Sequence, residues 1–276
     1  MSHAHLLDDS YAVTTAHSRQ ATLRVFTRGS GPAVVLLPGN GRPPADLHAL
    51  AVLLDQAGYR VVLPEPRGMG ASTGPLAGVT LHDLAGDVAA AITAGHGAGP
   101  GDSDKPALVV GHAFGNRVAR TLAADRPDLV DTVALLSCSG KVPRTADIEK
   151  ADHVAMDPST PAAARRTAAA QAWFGPGADP TPLLGGWNLA VREAYAAAAR
   201  ATPMAEWWTA GRARVLIVQG LEDYSAPTAN GRLLKEELGE RATLVELPGV
   251  GHTLPVEAPV EVAEVLLRYL SEAPGS

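Results

Sequence analysis

Cysteine occurs once in the 276 residues, at Cys138, so no intramolecular disulfide can form. That suits a reducing compartment, and a cytoplasmic location is the expectation. Basic residues are not in excess: 23 Lys and Arg against 29 Asp and Glu give a net charge of −6, which leaves no footprint for nucleic acid. No apolar run approaches the length that spans a bilayer, so no membrane partner is expected. Residues 1–9 lack a basic segment followed by an apolar one, so no signal peptide is expected. His3, His5 and His17 sit in a polar amino-terminal segment, and His48, His82, His96 and His153 are scattered without ligand spacing. Neither a metal nor another cofactor is expected. Residues 95–104 are glycine-rich but have no Lys-Ser/Thr pair to complete a phosphate loop, and read as a surface loop. What remains, 46% hydrophobic and 19% charged residues, is ordinary for a globular chain long enough for one large core or two modest ones.

The chain alternates. Short strand-like segments at 11–15 and 22–27 come first, closed by Arg28-Gly29-Ser30-Gly31-Pro32 as a turn. Residues 33–37, Ala-Val-Val-Leu-Leu, form a continuous apolar run of the kind buried on both faces of a parallel sheet. Further strands are predicted at 60–63, 107–110, 132–138, 215–218 and 243–247. Helical spacing is predicted over 45–57, 81–94, 114–124, 231–238 and 259–270. This rhythm predicts an α/β protein with a doubly wound, mostly parallel sheet, begun by an antiparallel pair. Residues 140–211 break the rhythm. They carry no convincing strand, Ala-rich helical stretches at 161–172 and 190–201, and all four tryptophans. They are expected to be a helical cap inserted into a core formed by 1–139 and 212–276.

One stretch organises the rest. Gly111-His112-Ala113-Phe114-Gly115 joins an apolar strand to a helix, with glycines two residues either side of its centre. That is the pattern of a nucleophile elbow, which carries Ser, Cys or Asp at the centre. Here the centre is Ala113, whose methyl group cannot attack a substrate. Three other strand ends join it. Pro38-Gly39-Asn40 follows residues 33–37, and the Asn40 N–H with that of Phe114 would make an oxyanion hole. Asp223 follows residues 215–218, where a carboxylate can orient an imidazole. His252 follows residues 243–247 in a glycine loop. The order elbow, acid, histidine joins three signals that are each weak alone. Ser137, Cys138, Ser139 and Ser225 sit in no elbow and are not expected to replace the missing nucleophile, and His112 is expected to be structural.

On these residues the chain resembles proteins of the α/β-hydrolase fold over nearly its whole length. Pro66-Arg67-Gly68-Met69-Gly70-Ala71-Ser72 and Leu81-His82-Asp83-Leu84-Ala85-Gly86-Asp87 add to the likeness. The insert resembles the lid of esterases and carbon–carbon hydrolases. The resemblance implies Asp223 as acid, His252 as base and Ala113 at the nucleophile position. It departs at Ala113 and at Pro38-Gly39, where many members have His-Gly.

Two readings of the alanine stay open. In one it replaces a native serine in an acyl-enzyme hydrolase, trapping a complex. In the other it is native, and the His252–Asp223 dyad acts as a general base on water or on an acidic substrate proton, which also suits lyase, cyclase or cofactor-free oxygenase chemistry. The expected substrate is a small or medium apolar ester, lactone or ketone, with Trp173, Trp187, Trp207 and Trp208 as candidate pocket residues. A binding protein that uses the same pocket without turnover is the third reading.

Overall fold

A computed structural model describes residue 7, residues 11–95 and residues 108–272. Apart from Leu7 and Gly95, the segments read above as an amino terminus without a signal peptide and as a glycine-rich surface loop lie outside the described residues.

Eight strands form one sheet: β1 Ala12–His17, β2 Thr22–Arg28, β3 Ala33–Leu37, β4 Arg60–Pro64, β5 Leu108–His112, β6 Thr132–Leu136, β7 Arg214–Gly220 and β8 Ala242–Leu247. Their order is β1-β2-β4-β3-β5-β6-β7-β8. β1 pairs with β2, and β2 with β4, antiparallel, and every later pair is parallel. The α/β class, the mostly parallel sheet and the antiparallel opening are as the sequence predicts. The helices beside the sheet are α1 His48–Gln56, α2 Leu81–Gly95, α3 Gly115–Asp125, α7 Ala229–Leu238, the single turn α8 Leu254–Glu257 and α9 Pro259–Ser271. Between β6 and β7 lie α4 Ala146–Met156, α5 Ala162–Trp173 and α6 Leu189–Ala201, with no strand among them.

The period of two in a strand explains the unbroken apolar runs. Val35, Val62, Val109, Val133 and Ile217 join the core under α2, α3 and α7. Their neighbours Val34, Leu36, Val61, Val110 and Leu216 join the opposite core with α1 and α9. Both faces are therefore apolar. A third cluster, including Ile148, Ala155, Ala169, Trp173 and Phe174, holds α4 against α5. The sequence reading left α4 out, and Asp152 is the reason. This carboxylate is buried, at 3% exposure, on the helix's inner face beside Ile148 and Ala155, which disguises the apolar period. Better signals were at its start, where Thr145 Oγ1 caps the Ile148 N–H and Asp147 and Glu149 fill the first turn.

β3 and β5 are adjacent while β4 lies on the far side of β3, so the chain reverses its direction of winding between β3 and β5. Loops leaving the carboxyl ends of such strands diverge and open a crevice. Nearby, Arg67 is fixed by a forked ion pair to Asp87 of α2, Nε to Oδ2 and Nη2 to Oδ1, both at 2.8 Å. Asp87→Ala would strand a buried guanidinium. The expected loss of stability is about 3–5 kcal/mol, read by urea unfolding, and a loss below 1 kcal/mol would contradict the buried pairing.

Candidate active site

The elbow forms as a sharp turn between β5 and α3. Ala113 sits at φ +50, in the left-handed region that side chains disfavour, and its N–H donates to Leu136 O at 2.9 Å. A Cβ on Gly111 would lie 2.4 Å from Asn116 N, and one on Gly115 would lie 2.5 Å from Leu37 O. Only glycine allows the start of α3 to approach β5 and the end of β3 this closely. The N–H of Phe114 donates to no other described residue, and the same is true of Asn40. Both residues border one cavity of about 660 Å³, together with Ala113 and His252. The Asn40 side chain is committed elsewhere, its Nδ2 donating to Arg192 O at 2.9 Å.

His252 and Asp223 meet. Nδ1 lies 3.0 Å from each oxygen of the carboxylate. Asp223 is 3% exposed and also accepts from the Ala226 N–H at 2.7 Å and from Gln219 Nε2 at 3.0 Å. Burial opposes charging the imidazole, but the adjacent Asp223 carboxylate outweighs it and raises the His252 pKa above its ordinary value. With Nδ1 turned to Asp223, Nε2 is the nitrogen left to face the cavity.

The backbone of His252 is held equally firmly. Its carbonyl accepts from Ser137 Oγ at 2.6 Å and from His112 Nε2 at 2.9 Å. Since a carbonyl only accepts, His112 carries its proton on Nε2. The His252 N–H donates to Trp173 O at 2.8 Å, which ties the histidine loop to α5. A Cβ on Gly251 would lie 2.5 Å from Gly175 N and from Phe174 C, so the residue before His252 has to be glycine. The role expected for His112, support rather than chemistry, fits this contact. Burial and then the nearby His252 hold the His112 pKa down to about 4.

Trp173 and Trp187 line the cavity with their rings 5.0 Å apart. Trp207 and Trp208 are absent from its lining. They are 2% and 3% exposed and lie against Arg120, whose guanidinium carbon is 4.6 and 5.0 Å from their ring centres. Aromatic residues in one insert need not face one way, and these two sit after α6, where the chain re-enters the core. Charged side chains interrupt the apolar lining. Arg42, Arg117, Arg144, Arg192 and Arg200 border the cavity, with Asp46, Glu149 and Asp152 as the carboxylates. Asp152 collects Arg192 Nη2 at 2.7 Å, Arg144 Nη1 at 3.1 Å and Trp173 Nε1 at 2.8 Å. The sequence reading missed these residues because they come from separate segments. Only Arg117, one helical turn after Ala113, had a legible position. Among the described residues no group of His, Cys, Asp and Glu could hold a metal ion, and no helix is long and apolar enough to cross a membrane.

Residues 34–265 match the model of the alpha/beta hydrolase family. A 2-(acetamidomethylene)succinate hydrolase of Mesorhizobium japonicum is 29% identical over 136 residues, a stretch that covers 48% of this chain and 45% of that protein. The match thus spans about half of that curated relative. Among solved structures, an esterase from Rhodococcus sp. ECU1013 superposes with a TM-score of 0.76 at 22% identity, covering 94% of this chain and 98% of that one. The 2-hydroxy-6-oxo-6-phenylhexa-2,4-dienoate hydrolase of Rhodococcus sp. strain RHA1 gives 0.75 at 18%, covering 95% and 99%. At such identities these likenesses establish the fold.

The depressed pKa of His112 sets a stability test. Below pH 6.5 the unfolded chain takes up a proton that the buried ring refuses until about pH 4. This group therefore withdraws about 3 kcal/mol as pH falls through that window. His112→Asn, which has nothing to titrate, should lose less stability between pH 7 and pH 4.5 than the parent in urea unfolding. Parallel profiles would contradict it.

Proposed function

The chain belongs to the alpha/beta hydrolase family, and on that premise we propose that it is a hydrolytic enzyme in which His252, held by Asp223, activates water for direct attack on an acyl carbon. The observation that carries this reading is the contact of His252 Nδ1 with both Asp223 oxygens, 3.0 Å each, at a cavity that also borders Ala113. The methyl group of Ala113 leaves room for a water where a serine hydroxyl would otherwise sit. His252 Nε2 takes the water's proton as the oxygen adds to the carbonyl, and the imidazolium formed is stabilised by Asp223. The developing oxyanion is received by the N–H groups of Phe114 and Asn40. His252 then returns the proton to the leaving group. The curated relative is a hydrolase by its name, which agrees with this chemistry. Helices α4–α6 act as a lid over the reaction, Trp173 and Trp187 are its substrate-facing aromatics, and the single cysteine suits a cytoplasmic enzyme.

The retained elbow favours a second reading, in which residue 113 is a nucleophile position whose serine has been replaced. A non-glycine residue at φ +50 between two glycines that admit no side chain is a costly turn for a site that makes no covalent bond.

Two measurements with 4-nitrophenyl acetate separate these ideas. His252→Ala should lower turnover about 10²–10⁴-fold, and unchanged turnover would sink both readings. Ala113→Ser should add an acyl-enzyme burst, visible as a mass increase, if the elbow is competent for covalent attack. Absence of that adduct, with His252-dependent turnover intact, selects the water mechanism.

The pH profile gives an independent check. A base works unprotonated, so a His252 pKa raised by Asp223 puts the rising limb of kcat/KM above pH 6.5. Asp223→Asn removes the charge that raises it, so the limb should move to lower pH while the plateau falls. A limb that stays in place would assign the titration to another group.

A further inference from the structure

The wall of the cavity beside Ala113 holds a cation, Arg117, that no described carboxylate neutralises. Arg117 follows Ala113 by one turn of α3 and borders the same cavity. Its Nε donates to Ser139 Oγ at a long 3.4 Å, and its guanidinium stands over the Trp207 ring at 5.5 Å. No described carboxylate pairs with it. Arg200, at the end of α6, likewise has no described carboxylate, but the other three guanidiniums at the cavity differ. Arg42 is matched to Asp46, with Nε 2.6 Å from Oδ2, and Arg144 and Arg192 converge on Asp152. Those two cations share one buried carboxylate, because Glu149 lies 4.0 Å from Arg144 and is 58% exposed.

Behind Arg117 the imbalance deepens. Arg120 is fully buried, and its partners are Asn116 O, Asn116 Oδ1 and Ser139 O, none of them charged. Its Nη1 has no hydrogen-bond partner among the described residues. Burial lowers the pKa of Arg117 and brings that of Arg120 down to about 10. Desolvating cations without counter-charges is unfavourable, and Arg117 is the one of this pair that opens on the cavity. Arg117 and Arg120 therefore bring positive charge to the elbow, and α3 adds the positive end of its dipole.

We propose that Arg117 anchors a carboxylate of the substrate, so that the enzyme acts on acyl compounds carrying a carboxylate a few bonds from the scissile carbonyl. A guanidinium presents a planar fork of donors that fits a carboxylate with two parallel hydrogen bonds. The Trp207 ring packs against that guanidinium, its centroid 5.5 Å from the guanidinium carbon. Arg144 and Arg192, half-neutralised across the cavity, favour the same sign of ligand and give a second anionic group somewhere to rest. The word substrate rests on the hydrolytic reading above, whereas the charge argument does not, and the test is chosen accordingly.

Isothermal titration of the full-length protein with glutarate and with its uncharged analogue glutaramide measures the anchor without any turnover. Glutarate should bind at least about ten-fold more tightly than glutaramide. Arg117→Met should weaken glutarate about 10- to 100-fold while leaving glutaramide unchanged. Arg117→Lys keeps the charge but loses the fork, should weaken glutarate several-fold, and carries the test if the methionine variant does not fold. Arg126→Met, at an exposed pair with Asp128, should change nothing. Equal affinity for the two ligands, glutarate binding that ignores both Arg117 variants, or no saturable glutarate binding would overturn the proposal. Arg117-dependent glutarate binding in a protein that hydrolyses no ester would keep the anchor and remove the hydrolytic reading.

Discussion

Four hydrogen-bonded contacts on one residue tie the two layers of this molecule together. The His252 carbonyl is gripped from the sheet side by Ser137 and His112, its N–H reaches Trp173 at the end of α5, and its ring is clamped by Asp223. Ser137 lies just past β6 and His112 ends β5, the third comes from the helical insert, and the last from the loop after β7. Displacement of any one of these elements would reach the imbalance most sensitive to geometry, the distance between Nδ1 and the carboxylate. A 3.0 Å contact to both oxygens requires all of them to be in register. The helical insert is thus coupled mechanically to the histidine, through a backbone bond rather than through side-chain packing alone.

Charge is the second constraint. Most of the cavity's arginines are given carboxylates, and Asp152 does this for Arg144, just before α4, and Arg192 of α6 at once while accepting from the Trp173 indole. This buried knot fixes the inner faces of α4, α5 and α6 relative to one another. It also explains why a carboxylate is tolerated on the buried side of α4, since a fully hydrogen-bonded and paired charge escapes most of the penalty of burial. Arg117 and Arg120 receive no such compensation. Their stacking on Trp207 and Trp208 replaces part of the lost hydration and leaves a positive field facing the elbow. An apolar substrate would gain little from that field.

The elbow shows how close packing and strain are linked. Gly111 lets β5 touch the start of α3, Gly115 lets α3 touch the end of β3, and the turn between the two glycines holds Ala113 in a left-handed conformation. Alanine tolerates the strain without supplying a reactive atom. In the proposed mechanism the chemistry falls to the imidazole, whose basicity is raised by a neighbour contributed from a different strand end.

Much of this was legible in the sequence because it is written in local patterns. Apolar runs of five residues bounded by turns can only be strands buried on both faces, and their alternation with helices of about three turns fixes a parallel sheet. The elbow, Asp223 and His252 each fall just past such a run, so their meeting at one sheet edge follows from the order of winding. Which tryptophans face the cavity was not legible. Trp173 and Trp187 differ from Trp207 and Trp208 only in where helix ends turn, and that is set by packing against α3 and α7. Helix α4 was hidden by Asp152, a charge whose partners lie 8 and 40 residues away in the chain. The cationic lining was hidden for the same reason: five arginines from four segments converge only once the insert folds over the sheet. The sequence by itself determined the sheet, the elbow and the acid–histidine order, since each depends on neighbours in the chain. Only the tertiary structure decided the polarity of the cavity, because charges balance through space and not along the sequence.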